Sequence, residues 1–275
     1  MSKKVLALTR LIEITDDIER EIIESILKPV MDNNSVTFLN FWGSTNLEND
    51  KLGIEYLKRI KEVTIKLFKA NKHRKNYHTL ENIFAPELKE EASKDTGIAD
   101  LCFNKLELAC ELDAFLVQYK SVLDALIKSL NPFIDANYKT FSRDEKYGFD
   151  FIKEILNNKP DIIKSRTKKL CSYVSEKSSN LKKVIGLRDG IVHFESNKLS
   201  PFHYSKKEKE IFNPLLVLSD EEIYEPNDFM LEKIKEIVDF VKNFIIFSLS
   251  ELDEAMWPES DPKEGFIWKI KTDKP

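Results

Sequence analysis

Glycine is scarce in this chain, with seven in 275 residues, and the scarcity has a chemical consequence. Backbone cradles for phosphate need closely spaced glycines, and the sequence contains no P-loop, no dinucleotide-binding glycine pattern and no nucleophile elbow. Long apolar runs are missing too: none approaches the roughly 18 to 20 residues that span a bilayer. The opening Met-Ser-Lys-Lys leads into an amphipathic segment rather than a signal-peptide core, so a cytoplasmic protein with no membrane attachment is expected. Cysteines number three, Cys102, Cys110 and Cys171. They leave an odd thiol in any disulfide scheme and have no paired metal-ligand spacing, so they are expected to be small buried apolar side chains. No cluster of histidine, cysteine and carboxylate suggests a metal, and no cofactor is expected. The formal charge of −4 argues against wholesale attraction of nucleic acid and leaves a local basic patch as the way to hold a polyanion.

What is present is helical patterning. With 33% of residues charged and 42% hydrophobic, the composition is that of a helix-rich domain with a substantial core. Apolar residues Ile18, Ile22, Ile23, Ile26 and Leu27 predict a helix over 15–31, behind the cap candidates Thr15 and Asp16 and ended or bent by Pro29. Residues 36–42 are the best strand candidate in the first hundred, a buried loop being the alternative. Ile54, Leu57, Ile60, Ile65, Leu67 and Phe68 mark a second helix running into the basic stretch 66–75, and the polar stretch 85–97 reads as a connector. The strongest helix is expected over 101–130, apolar except for a stripe of Glu107, Glu111, Gln118, Ser121, Asp124 and Lys128. Shorter helices are predicted over 144–157 and 161–183, an extended segment over 211–218, and a long final helix over 228–252 with Ile234, Ile237, Val238, Val241, Phe244 and Ile245 facing inward. The run Phe266-Ile267-Trp268 in the tail reads as an edge strand or a staple.

Chemistry concentrates in Leu187-Arg188-Asp189-Gly190-Ile191-Val192-His193. Arginine brings a permanent planar cation suited to phosphate oxygens, and histidine is the side chain best placed to move protons near neutral pH. Cleavage through an RNA 2′-hydroxyl needs a base for that proton, an acid for the leaving 5′-oxygen and a cation on the transition state, and no metal. Residues five apart on an ideal helix point about 140° from each other. Arg188 and His193 therefore converge only if the helix starts or breaks nearby, as Gly186 and Gly190 would permit, or if a second subunit completes the site. Between Pro160 and His193 eight lysines and arginines face three carboxylates, a surplus that can gather phosphates locally. Lys168, Lys169, Lys182 and Lys183 are the candidate RNA-binding residues. A second basic stretch carries His73 and His78, five apart rather than at zinc spacing, and reads as a solvated helix end.

The helix from Glu111 to Leu126, with Ser121 and Asp124, followed some sixty residues later by Arg188 and His193, resembles the HEPN superfamily of Arg-x4-6-His helical proteins. The resemblance covers about 99–256 and divides the chain into a mostly helical region 1–98, a HEPN-like domain and a tail 257–275. It implies an all-α antiparallel bundle, a homodimer with two motifs facing each other, and metal-independent endoribonuclease activity in phage defence, toxin–antitoxin systems or RNA processing. Carried over by position, Arg188 stabilises the phosphate and His193 transfers protons. Asp189 stands where the family often has asparagine: its charge either opposes the phosphate or holds Arg188 or His193 in place. Glu195 occupies the position of a tyrosine found in the toxin subgroup, so modification by a nucleotidyltransferase partner is not expected. The alternative is a non-catalytic module that binds RNA or a protein partner, with Asp189 marking a lost active site.

Overall fold

The computed structural model describes residues 16–32, 47–95, 97, 99–134, 137–141, 152, 167–192, 198–219 and 221–256. Helix makes up 74% of this region, in five helices with a few short strands. Helix α1 spans Asp17–Asp32. Its first turn is closed by Asp16, whose Oδ1 accepts the Glu19 backbone N–H at 2.8 Å, the side-chain cap that satisfies an otherwise orphaned donor. Ile22 and Ile26 are fully buried, as their spacing predicts, but the helix runs three residues past Pro29.

Helix α2, Leu47–Lys94, is 48 residues long with Pro86 inside it. The predicted connector over 85–97 is therefore mostly helix. Glu87, Leu88, Lys89, Glu90 and Glu91 are strong helix formers, and they carry the helix past the single donor that proline removes. The buried stripe is Tyr56, Ile60, Val63, Leu67 and Ala70, so Ile65, expected inside, lies on the opposite side and is exposed. Strand β1, Leu101–Phe103, follows, where the start of the central helix was expected. Helix α3 then covers Leu106–Ile134, two residues beyond Pro132. Leu108, Leu112, Phe115, Tyr119, Val122, Leu123 and Leu126 are buried, while Glu107 is exposed and Glu111, Gln118, Ser121, Asp124 and Lys128 are half-buried, reproducing the predicted stripe.

Helix α4 spans Lys168–Val192, continuing nine residues past the predicted end at 183. Then come β2 (Phe202–Ser205), β3 (Glu210–Phe212), β4 (Leu216–Val217) and β5 (Ile223–Tyr224), before helix α5, Pro226–Met256. Ile234, Ile237, Val238, Val241, Phe244 and Ile245 are all buried on α5, as predicted. Strands β1, β2 and β3 form an antiparallel sheet in that order, and β4 pairs with β5. The fold is thus mostly helical rather than purely α, because β1 and β2, 98 residues or more apart in sequence, meet only through tertiary contact. The candidate strand at 36–42, nearly all of the helix at 144–157 and the tail run 266–268 lie outside the described residues.

The chain forms two compact units, residues 1–65, 121–181 and 238–275 in the first and 66–120 and 182–237 in the second. In the first unit, Tyr173 of α4 meets Phe240 and Phe247 of α5 with ring centroids 5.6 and 5.2 Å away, and Phe141 sets its edge on Phe240. In the second, α2 and α3 run antiparallel: His73 and Asn76 reach Glu111, while farther along α2 the ring of Phe84 lies under the Lys105 ammonium just before α3. Of the cysteines, Cys171 is buried but Cys102 and Cys110 are exposed. Cys102 sits on the outer face of a strand and Cys110 beside the polar stripe of α3, positions that composition alone does not reveal.

Candidate functional site

Arg188 and Asp189 lie in the last two turns of α4, after Val184, Ile185 and Leu187, which are buried in the second unit. The helix is continuous through Gly186 and Gly190 to Val192, the last described residue of this stretch; His193 lies outside the described residues. Neither glycine breaks it. Neighbouring residues on a helix do not face each other, yet the long arginine folds back so that its Nη1 donates to Asp189 Oδ1 at 2.9 Å, with side chains 29% and 22% exposed. A charge-assisted hydrogen bond of this kind contributes about 1.5–3 kcal/mol, enough to favour one guanidinium orientation by tenfold or more. The Nε of Arg188 is buried and has no partner among the described residues, so this one donor is unused and closed to solvent. Of the roles open to Asp189, holding Arg188 is the one this geometry displays.

The four candidate RNA-binding lysines separate. Lys168 and Lys169 are exposed in the first turn of α4, in the first unit, whereas Lys182 and Lys183 belong to the second. Lys183 Nζ pairs with Glu222 Oε1 at 2.9 Å, and that carboxylate holds the ammonium above its ordinary range. Its charge is therefore shared with a neighbour. Lys182 is half-buried.

A second constellation forms where the sequence reads as a solvated helix end. The stretch around His73 is the interior of α2, packed on α3 and on the start of α5. His73 Nδ1 is 2.7 Å from Glu111 Oε2, with side chains 27% and 22% exposed, and Asn76 Nδ2 donates to Glu111 Oε1 at 3.2 Å. A carboxylate only accepts, so His73 carries its proton on Nδ1. Arg74 donates from Nε to Asn71 Oδ1 at 3.1 Å and from Nη1 to Asn227 Oδ1 at 3.2 Å.

About two helical turns beyond Arg74, Glu81 is 5% exposed. Burial, followed by the negative charges of Glu225 and Asp228, pushes its carboxyl up to about 7. Its Oε1 and the hydroxyl of fully buried Tyr77 have no hydrogen-bond partner among the described residues, and the Tyr77 hydroxyl is driven above its usual range by burial and then by Glu81 and Glu225. Sequence reasoning missed these groups because their partners come from three separate stretches; the Tyr77/Glu81 spacing of four is the only local signal.

Comparison with protein-family models, with curated proteins and with solved structures finds no match. Among the described residues no group of three or more histidine, cysteine, aspartate or glutamate side chains is arranged to hold a metal ion, and no helix is long and apolar enough to cross a membrane. What the geometry offers is a guanidinium held by a carboxylate in the last described turns of α4, five residues ahead of a histidine in sequence, and a separate histidine locked to a carboxylate between α2 and α3.

Proposed function

We propose that this chain is a metal-independent endoribonuclease of the HEPN type, acting in the cytoplasm as a homodimer in defence, toxin or RNA-processing systems. The observation that carries the reading is the state of Arg188: its Nη1 is bound by Asp189, and it stands in the last described turns of α4, five residues ahead of His193 in sequence. Such a guanidinium is oriented in advance for a phosphate oxygen. In the proposed reaction the RNA 2′-oxygen attacks the adjacent phosphorus as His193 takes its proton. The bond from phosphorus to the 5′-oxygen breaks, and the imidazolium of a second copy returns a proton to the leaving oxygen.

The test is incubation of single-stranded RNA with the full chain in excess EDTA. Cleavage should persist, and Arg188→Ala or His193→Ala should slow it by about 10²- to 10⁴-fold with the helical circular-dichroism signal unchanged. Arg188→Lys should also be severely impaired, since a point charge cannot replace a two-pronged contact. Because Asp189 holds Arg188, Asp189→Asn should lower activity. Activity that needs a divalent ion, or full activity in His193→Ala, would overturn the proposal.

A second reading has its own support. Both Arg188 and Lys183 have a carboxylate partner, which lowers the local positive charge and suits a non-catalytic module that binds RNA or a protein. RNA retention without cleavage, equal in wild type and His193→Ala, would favour it.

A further inference from the structure

The three-stranded sheet of the second unit brings together a thiol, an imidazole and a carboxylate that the ribonuclease reading does not use. In the register of β1 with β2, Cys102 lies opposite His203, and in that of β2 with β3, His203 lies opposite Phe212. Directly opposed residues of antiparallel strands share a face, with Cβ atoms about 4.5–5.5 Å apart. That face is the outer one: Phe202 and Tyr204, which flank His203, are buried, whereas Cys102 and Phe212 are exposed.

The imidazole is held in place. Its ring stacks on Phe212, with centroids 5.9 Å apart and planes at 27°, and its Nε2 lies 3.5 Å from Asp100 Oδ2. Asp100 is itself anchored, its Oδ1 accepting the Lys206 backbone N–H at 2.9 Å, and the Lys206 ammonium ties the preceding loop through the carbonyls of Asp95 and Gly97. Nε2 faces the carboxylate, and Nδ1 is the other ring nitrogen. The turn that joins β2 to β3 carries exposed Lys207 and Lys209 with exposed Glu208 between them.

We propose that Cys102 is a thiol–disulfide exchange site for small anionic disulfides, with His203 as the proton acceptor and Asp100 as the positioning residue. His203 takes the thiol proton, and Cys102 Sγ attacks one sulfur of the disulfide. The disulfide's S–S bond breaks as a new one forms to Cys102, and the released thiolate collects the proton from the imidazolium. The Cys102 sulfur is oxidised and the leaving sulfur reduced, so the incoming disulfide is the oxidant and nothing further is consumed.

The chain supplies its own reference, since Cys110 is also exposed but stands on α3 with Glu107 and Glu111 on the same helix. The full chain is incubated with oxidised glutathione at neutral pH, and adducts are followed in time by peptide mass spectrometry, with iodoacetamide as an uncharged second probe. Cys102 should be modified at least about tenfold faster than Cys110 by both reagents, and buried Cys171 should stay unmodified. His203→Gln should bring Cys102 down to within about threefold of Cys110, and Asp100→Asn should fall between. Equal rates at Cys102 and Cys110 in the wild type, or an unchanged Cys102 rate in a folded His203→Gln protein, would overturn the proposal; if that variant does not fold, the wild-type ratio decides alone.

Discussion

Glu81 is the residue whose environment departs most from its chemistry. The carboxyl is nearly enclosed, faces two other acids, and is pushed up to about 7. The folded state therefore keeps a proton that the unfolded chain loses near its ordinary value. Stability is full at low pH and falls as pH rises from about 4.5 to about 7, then levels off, a loss on the order of a few kcal/mol. Glu81→Gln, which keeps the shape without the charge, should remove most of that slope and raise stability at pH 8 by about 1–3 kcal/mol. Urea unfolding at pH 5 and pH 8 reads the difference, and parallel pH dependence in the two proteins would show that Glu81 is not its source. Arg188 shows the same dependence on surroundings. The sequence offers it as a candidate for phosphate contact, but its bond to Asp189 and its unpartnered Nε were not legible, because adjacent helical residues are normally about 100° apart.

Among the elements, α4 differs most from its expected form. Its glycines read as break points, yet it runs on to Val192, and a Cβ at Gly186 would meet nothing within 4 Å. Gly186→Ala should thus raise stability by about 0.5–1 kcal/mol through helix propensity alone, seen as a higher midpoint in thermal or urea unfolding. A loss would mean that this position needs glycine for a reason other than packing. The turn between β2 and β3 offers the reverse case: Lys209 adopts φ 58°, the left-handed region in which a non-glycine residue costs about 1–2 kcal/mol. Lys209→Gly should relieve about 1 kcal/mol of that, less the added freedom of the unfolded chain, while Lys209→Val should destabilise. Equal midpoints for the two variants would rule out backbone strain at the turn.

For the whole molecule, the decisive quantity is the number of copies. One Arg188 and one His193 supply a cation and a single proton carrier, whereas the proposed cleavage uses both a base and an acid, so the reading requires two chains with their motifs facing. Equilibrium sedimentation at about tens of micromolar, a usual working range for such an interface, should give a dimer. A monomer there, together with undiminished RNA cleavage, would place acid and base within one chain. Salt offers a second check. Lys183 and Arg188 already have carboxylate partners, so few counterions are left to release, and the slope of log affinity for RNA against log salt should be shallow, about −1 to −3. A slope near −8 would mean that the whole lysine surplus of 160–193 engages phosphate.

The amino-acid sequence by itself determined the buried faces of several helices, though not where those helices begin and end, because burial of an apolar stripe is a local matter of spacing. The inner faces of α3 and α5 and the buried pair on α1 are written in the intervals between isoleucine, leucine, valine and phenylalanine. It also determined which residue types could act on a phosphate, since guanidinium and imidazole chemistry does not depend on the fold. Tertiary structure decided what joins distant stretches. The pairing of β1 with β2, the lock of His73 on Glu111, the acid cluster at Glu81 and the row of Cys102, His203 and Phe212 each link residues tens of positions or more apart. Short strands of two to four residues carry too few alternating positions to announce themselves, and a side chain's partner, depth and proton affinity are set by whatever the rest of the chain packs against it.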